Sequence, residues 1–156
     1  MMIRQIPNYL ASLCTVLWVG GIWAVGYIAV PVLFQTLLDR QMAGLIAGKI
    51  FSLMAFIGIG CGAYLLVHQI QQYGRNAWKQ KTFILIVSML LLVLASQLVI
   101  QPGMVALKAQ AFPLDVMQSA LAAQFKLMHG LASILYLLES MLGLVLVIIS
   151  IPIKNI

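Results

Sequence analysis

The stretch TFILIVSMLLLVLASQLVIQPGMVAL, residues 82–107, contains no charged side chain. A helix needs about 20 apolar residues to cross the roughly 30 Å hydrocarbon core of a bilayer, and this stretch exceeds that length. Three further stretches are as apolar and carry at most one charge, residues 5–38, 50–73 and 127–153. The sequence therefore predicts an all-α integral membrane bundle of four transmembrane helices, at about residues 9–38, 50–73, 82–107 and 127–153.

The composition supports a membrane protein. The chain has 156 residues, of which 63% are hydrophobic and only 8% charged, and its mean hydropathy is +1.08. A soluble domain of this length needs a more polar surface. No linker or composition shift divides the chain, so we expect a single domain over residues 1–156. The first apolar stretch exceeds the ~7–15 residue core of a signal peptide, so we expect it to remain as a helix.

The positive charges lie at the ends of the predicted helices, where they set orientation rather than bind nucleic acid. The net charge is +6. The densest group is Arg75, Lys79 and Lys81, with Trp78 and Tyr73 beside it as interfacial aromatics. The sequence thus predicts a multi-pass protein of the bacterial cytoplasmic (inner) membrane with both termini cytoplasmic. On that side we place Arg4, Arg75, Lys79, Lys81 and Lys154, and on the other Arg40, Lys49, Lys108 and Lys126.

The two outer connections differ in length. One runs from Asp39 to Lys49 and the other from Lys108 to Lys126. Within the second, LDVMQSALAAQF (114–125) has a helical pattern, which predicts a short interfacial helix between helices three and four. Pro31 and Pro102 lie near the outer ends of helices one and three, where each predicts a kink.

Glu139 is the one carboxylate inside a predicted span. On a helical wheel it shares a face with small and polar residues, opposite a leucine-rich face, so we expect it to point into the bundle. It lies roughly 18 Å below the outer end, near the bilayer midplane. Tyr27, Cys61 and Gln97 come to a similar depth. With no cation there, we expect a neutral Glu139 bonded to Gln97 or Tyr27.

Two interpretations of Glu139 stay open. An intramembrane carboxylate typically marks an ion or proton site. The alternative is a polar staple that fixes helix packing.

Metal binding is a less favoured hypothesis. His68 and His129 map to opposite membrane faces, so they cannot ligate one haem iron. Thioether and imidazole groups suit Cu(I), but Met is also a flexible filler of apolar interiors. Cys14 and Cys61 match no disulfide or zinc pattern, and we expect no cofactor. The copper candidates cluster at the outer side and are His129, Met128, Met104, Met117 and Met42.

Small residues mark the expected helix contacts. Gly44 and Gly48 are four apart, as are Gly58 and Gly62, and Gly143 lies on the Glu139 face. Such glycines let helices approach closely. The sequence contains no Ser-His-Asp set, phosphate loop or HExxH motif, so we expect no enzymatic activity.

Leu17 to Phe51, LWVGGIWAVGYIAVPVLFQTLLDRQMAGLIAGKIF, resembles the transmembrane protein 205-like family, found in bacteria as a domain of unknown function. The segment FKLMHG, Phe125–Gly130, which contains His129, is similar to the family's histidine at the start of its last helix. The resemblance implies a four-helix membrane protein and lends no activity.

The leading hypothesis is a non-enzymatic accessory or scaffold protein embedded in the lipid bilayer, whose partner is another membrane protein or a second copy. The alternative is a small proton- or cation-coupled transporter that uses Glu139. A copper- or haem-handling membrane protein is the third hypothesis.

Overall fold

The computed structural model describes residues 6–150, which form four long helices and contain no strand. All four are long and apolar enough to cross a membrane, so the predicted all-α four-helix architecture is confirmed. Arg4, Lys154 and the predicted end of helix four at residue 153 lie outside the described residues. The helices are α1 (Ile6–Thr36), α2 (Arg40–Tyr73), α3 (Lys81–Ala111) and α4 (Ala122–Ser150).

Polar contacts join the start of α1 to the end of α2. The Asn8 Oδ1 atom accepts a hydrogen bond from Gln72 Nε2 at 2.9 Å and lies 3.0 Å from His68 Nε2. The Tyr64 hydroxyl donates to the Pro7 carbonyl at 3.2 Å. These contacts make α1 and α2 an antiparallel pair. The end of the bundle that holds Gly74–Lys79 is termed the basic end below, and the opposite one the distal end.

Helix α2 begins earlier than predicted. Asp39 is its N-cap, and the Asp39 carboxylate accepts hydrogen bonds from the backbone amides of Gln41 and Met42 at 2.8 and 3.1 Å. Such a cap satisfies backbone donors that the first turn leaves unpaired. At about 1.5 Å per residue α2 is roughly 50 Å long, so its first turns extend beyond the hydrocarbon. Arg40 and Lys49 lie in these turns, where water can solvate their charges. The helix thus begins at Arg40, ten residues before the span predicted at residues 50–73, because a cation does not end a helix, and the limits of the part inside the hydrocarbon stay a prediction.

The separate interfacial helix predicted at residues 114–125 is not present. Val116–Gln118 form a single 3-10 turn, which Asp115 caps by accepting from the Met117 amide at 2.7 Å. From Ala122 onward the same stretch is already the first turn of α4. The amphipathic pattern was therefore split between a capped turn and an extension of the last membrane helix.

Helices α1 and α3 each contain one π-helical turn that ends two residues before a proline. The turns are Val25–Ala29, before Pro31, and Ser96–Ile100, before Pro102. Proline has no amide hydrogen, and its ring clashes with the carbonyl four residues earlier. Widening the preceding turn relieves that clash, and such turns are common at functional positions.

The core lies between the four helices, each of which contributes buried side chains to it. Trp18 and Met89 are fully buried, and Leu146 is nearly so. Gly143 of α4 allows the close approach, because a Cβ there would lie 3.2 Å from the Val19 methyl groups. With no water to drive association, this contact between small and bulky residues holds the helices together.

Gly44 and Gly48 of α2 differ from the packed glycines. A Cβ on Gly48 would meet nothing within 4 Å, and one on Gly44 would meet only Phe34, at 3.9 Å. The buried residues of this segment are instead Ala43 and Ala47. The predicted packing role of Gly44 and Gly48 therefore remains a prediction for contact with another chain.

Candidate functional site

Glu139 lies inside the bundle, as the helical wheel predicts. Its side chain is 7% exposed, and its Oε1 atom accepts a hydrogen bond of 3.1 Å from Trp18 Nε1. Leu131 and Leu138, on the opposite face of α4, are exposed. The carboxyl of α4 is thus bonded to an indole of α1 that is itself 0% exposed.

Two glycines of α2 make room for this indole. A Cβ on Gly58 would lie 2.5 Å from Trp18 Nε1, and one on Gly62 would lie 2.9 Å from Trp18 Cζ3. Any larger residue would collide with the ring. Gly58 and Gly62 therefore let Trp18 lie against the α2 backbone, and its N–H is left to reach Glu139.

Ser140, the next residue along α4, has two aromatic partners on α1. The Ser140 hydroxyl donates to the Leu137 carbonyl at 2.8 Å, so Tyr27, whose hydroxyl is 2.7 Å away, donates to Ser140 Oγ. Trp23 Nε1 donates to the Ser140 carbonyl at 3.4 Å. The ring centroids of Trp23 and Tyr27 are 5.0 Å apart. Each of the two successive polar residues of α4 thus meets an aromatic donor.

Tyr136 contacts the backbone of α1 where the π turn begins. The Tyr136 hydroxyl donates to the Ile22 carbonyl at 2.6 Å, and the same hydroxyl oxygen accepts from the Gly26 amide. In a regular α-helix the Gly26 amide would bond to the Ile22 carbonyl. A side chain on Gly26 would overlap the Tyr136 ring. Insertion of a side chain into a helical ladder is a recognised cause of local deformation, and the Tyr136 hydroxyl fits that role.

We predict that Tyr136→Phe lowers the free energy of unfolding by about 0.6–1.7 kcal/mol, because the Ile22 carbonyl loses its donor. The loss should be at the low end if Gly26 and Ile22 then bond to each other. Thermal melting in detergent measures the effect, and the matched control is Tyr73→Phe, since the Tyr73 side chain is 48% exposed. An unchanged melting temperature for Tyr136→Phe would contradict the assigned hydrogen bond.

These residues form one continuous set of contacts, termed the α1–α4 seam: Trp18, Trp23, Tyr27, Tyr136, Glu139 and Ser140. Among the described residues, no donor to the second carboxyl oxygen of Glu139 is found and no Lys or Arg forms an ion pair with it. One carboxyl oxygen of Glu139 therefore has no hydrogen-bond donor within residues 6–150 and is surrounded by aromatic side chains of the seam. The seam contains no second acid or base that could transfer a proton to a substrate.

The predicted partners of Glu139 were wrong. Tyr27 bonds to Ser140, and Gln97 Nε2 donates to the Ser52 carbonyl of α2 at 3.3 Å. Cys61 is buried in the core near Cys14, and both thiols are free. Of the predicted midplane set, only Tyr27 shares a seam with Glu139. The partner that sequence reasoning missed is Trp18, and the Gly58/Gly62 pair was the available signal that a bulky side chain packs there.

The five residues predicted as copper ligands lie at the distal end, and their side chains have different environments there. His129 is exposed and stacks on Phe125, while Met128 packs against Gly103. Met42 and Met117 are each about half exposed, and Met104 is partly buried. Within residues 6–150 no group of three or more His, Cys, Asp or Glu side chains is arranged to hold a metal. His68, at the basic end, is bonded to Asn8.

The similarity of the chain to known proteins is at the level of a family. No curated protein and no solved structure matches it. One family model matches residues 13–113, which include Trp18, Gly58 and Gly62 but not Glu139 or Ser140. Because this match covers more than half of the chain, the protein belongs to the family described as Domain of unknown function (DUF4149).

Proposed function

We propose that the protein is a non-enzymatic accessory or scaffold protein of the membrane, in which the α1–α4 seam is structural. The observation that carries the proposal is that each of the three acidic residues of the chain has a structural contact. Asp39 and Asp115 cap helical turns, and Glu139 is held by Trp18. No acid–base pair is left for catalysis, and no cofactor is part of the proposal.

The partner surface that we propose is the open face of α2 at Gly44 and Gly48. The Gly-x-x-x-Gly spacing allows another helix to approach the backbone, and the chain itself leaves that space unfilled. The partner is a helix of a second copy or of another membrane protein, which meets α2 where its first turns extend beyond the hydrocarbon. Nucleic acid is not a partner in this proposal, because the cations lie at helix ends.

The test is the mass of the particle in native-lipid nanodiscs, compared with the 17.1 kDa chain. We expect an assembly larger than one chain, and the double substitution of leucine at Gly44 and Gly48 should reduce it to one chain without lowering the melting temperature. The matched control is Gly130→Leu, since a Cβ on Gly130 also meets nothing within 4 Å. A single chain in the parent, or an assembly that survives the double substitution, would refute this surface.

A proton- or cation-coupled carrier is the second candidate function. It is favoured by the free second oxygen of Glu139, because an intramembrane carboxyl without a full set of partners can exchange a proton or cation. Against it stands the lack of any second ionisable side chain on the seam other than tyrosine.

Glu139→Gln in proteoliposomes separates the two functions. Glutamine keeps a carbonyl that accepts from Trp18 but cannot ionise. If the seam is structural, the variant melts like the parent and no pH-driven flux distinguishes the two proteins. A parent that moves protons, together with a glutamine variant that melts normally and moves none, would establish the carrier.

Both termini are predicted to be cytoplasmic, in the bacterial inner membrane. The support is the basic end, where Arg75, Lys79 and Lys81 are all exposed and no acidic residue lies between them. A reporter fused after Lys154 that is active only in the cytoplasm should therefore be active. Activity of an export-dependent reporter at this position would reverse the assigned orientation.

The resemblance of Leu17–Phe51 to the transmembrane protein 205-like family is consistent with the proposed accessory role. It remains a prediction, and no activity follows from it.

A further inference from the structure

A groove of about 370 Å³ opens sideways between α2 and α3 in the distal half of the bundle. Its walls are apolar, but three polar residues, Ser52, Gln97 and Gln101, lie along it. Gln97 is bonded to the Ser52 carbonyl. The groove is separate from the α1–α4 seam, and its volume falls within the range of ligand sites in proteins, about 300–1,000 Å³. It is lined by Ser52, Phe56, Ile59, Leu94, Gln97, Leu98, Gln101, Pro102 and Val105.

The depth of the groove can be read from α3, which starts at Lys81 in the basic end. At about 1.5 Å per residue, Gln101 lies roughly 30 Å along the helix from Lys81, which equals the thickness of the hydrocarbon core. Gln101 is therefore at the boundary between hydrocarbon and headgroups of the distal leaflet. Leu94 lies roughly 20 Å along, within the hydrocarbon. The groove thus runs from the headgroup boundary toward the midplane.

The Gln101 carboxamide has no hydrogen-bond partner among residues 6–150. An amide at the headgroup boundary that has no partner in the protein is free to bond to a polar atom of the lipid. No charged residue lines the groove, so a charge placed inside it would have no counterion. The occupant must combine a long apolar part with an uncharged acceptor oxygen at the level of Gln101.

We propose that this groove binds one acyl chain of a glycerolipid from the distal leaflet, and that Gln101 Nε2 donates to the ester carbonyl of that chain. The ester of such a lipid lies at the headgroup boundary, where Gln101 lies, and its chain descends toward the midplane past Leu94 and Ile59. The charged headgroup stays outside the groove. The proposal does not depend on the accessory or the carrier function.

The test compares two phosphatidylglycerols of equal chain length, one with ester-linked and one with ether-linked chains, by native mass spectrometry of the detergent-purified protein. The ether analogue lacks the carbonyl oxygen. We expect one retained ester lipid per chain, with retention about threefold stronger than that of the ether analogue, which corresponds to one hydrogen bond in this environment. Gln101→Leu should abolish that preference.

Val105→Trp narrows the groove and should reduce retention of both lipids at least threefold. The matched control is Val99→Trp, which adds the same bulk at a position on α3 that is 63% exposed and outside the groove. Melting temperatures show that each variant is folded, and Gln101→Met replaces Gln101→Leu if the latter is not. Equal retention of the two lipids by the parent, an ester preference that survives Gln101→Leu, or a dimer that fills the groove instead would each overturn the proposal.

Discussion

Trp18→Ala is expected to lower the free energy of unfolding by about 3 kcal/mol or more, the low end of the range for a large buried aromatic residue. We expect the low end because lipid is as apolar as the core, so unfolding within the membrane does not transfer the indole to water. The lost stability comes instead from packing and from the hydrogen bond to Glu139. Trp18 is 0% exposed and touches both Gly58 and Gly62. Its removal leaves a cavity between α1 and α2.

The measurement is thermal or denaturant unfolding in detergent. Trp78→Ala is the matched control, because it deletes the same side chain where it is 67% exposed. We expect the control to melt within a degree or two of the parent. Equal effects of the two substitutions would contradict the central position of Trp18.

Gly58→Val is expected to destabilise the protein by about 2–3 kcal/mol, as overpacking of a tight contact does. The added Cβ would lie 2.5 Å from Trp18 Nε1, so the indole must move, and the bond to Glu139 is lost with it. The substitution therefore acts on two helices at once.

Gly60→Val provides the control on the same helix. It adds the same β-branched side chain, but a Cβ on Gly60 meets nothing within 4 Å. Both variants carry the same change in helix propensity, so the difference between their unfolding free energies measures the contact with Trp18. A difference near zero would show that α2 and α1 separate easily at this point.

The four membrane helices could be predicted from the sequence because uncharged stretches of sufficient length have no other stable fold in a bilayer. The inward direction of Glu139 also followed from the sequence, since small and polar residues gather on one face of α4. Helix ends were less predictable. Cations at Arg40 and Lys49 were taken as the end of a span, whereas α2 continues through them because Asp39 caps its first turn.

The partner of Glu139 could not be found by counting depth from the predicted distal ends, because α4 begins at Ala122, five residues before its predicted start at residue 127. Counted from the observed distal ends, Thr36 and Ala122, Trp18 lies roughly 27 Å and Glu139 roughly 26 Å inside its helix. Tyr27 reaches Ser140 across a π turn whose geometry depends on Pro31 and on the Tyr136 hydroxyl. Such a deformation is set by contacts between helices, which a single-helix pattern does not contain.

A double-mutant cycle with Trp18→Phe and Glu139→Leu measures whether Glu139 is a structural partner of Trp18. Phenylalanine removes the N–H donor and leucine removes the acceptor, while both keep an apolar side chain. We expect a favourable coupling of about 0.6–1.7 kcal/mol between the two sites, so the double variant should be less destabilised than the sum of the single variants. Strictly additive losses would contradict it.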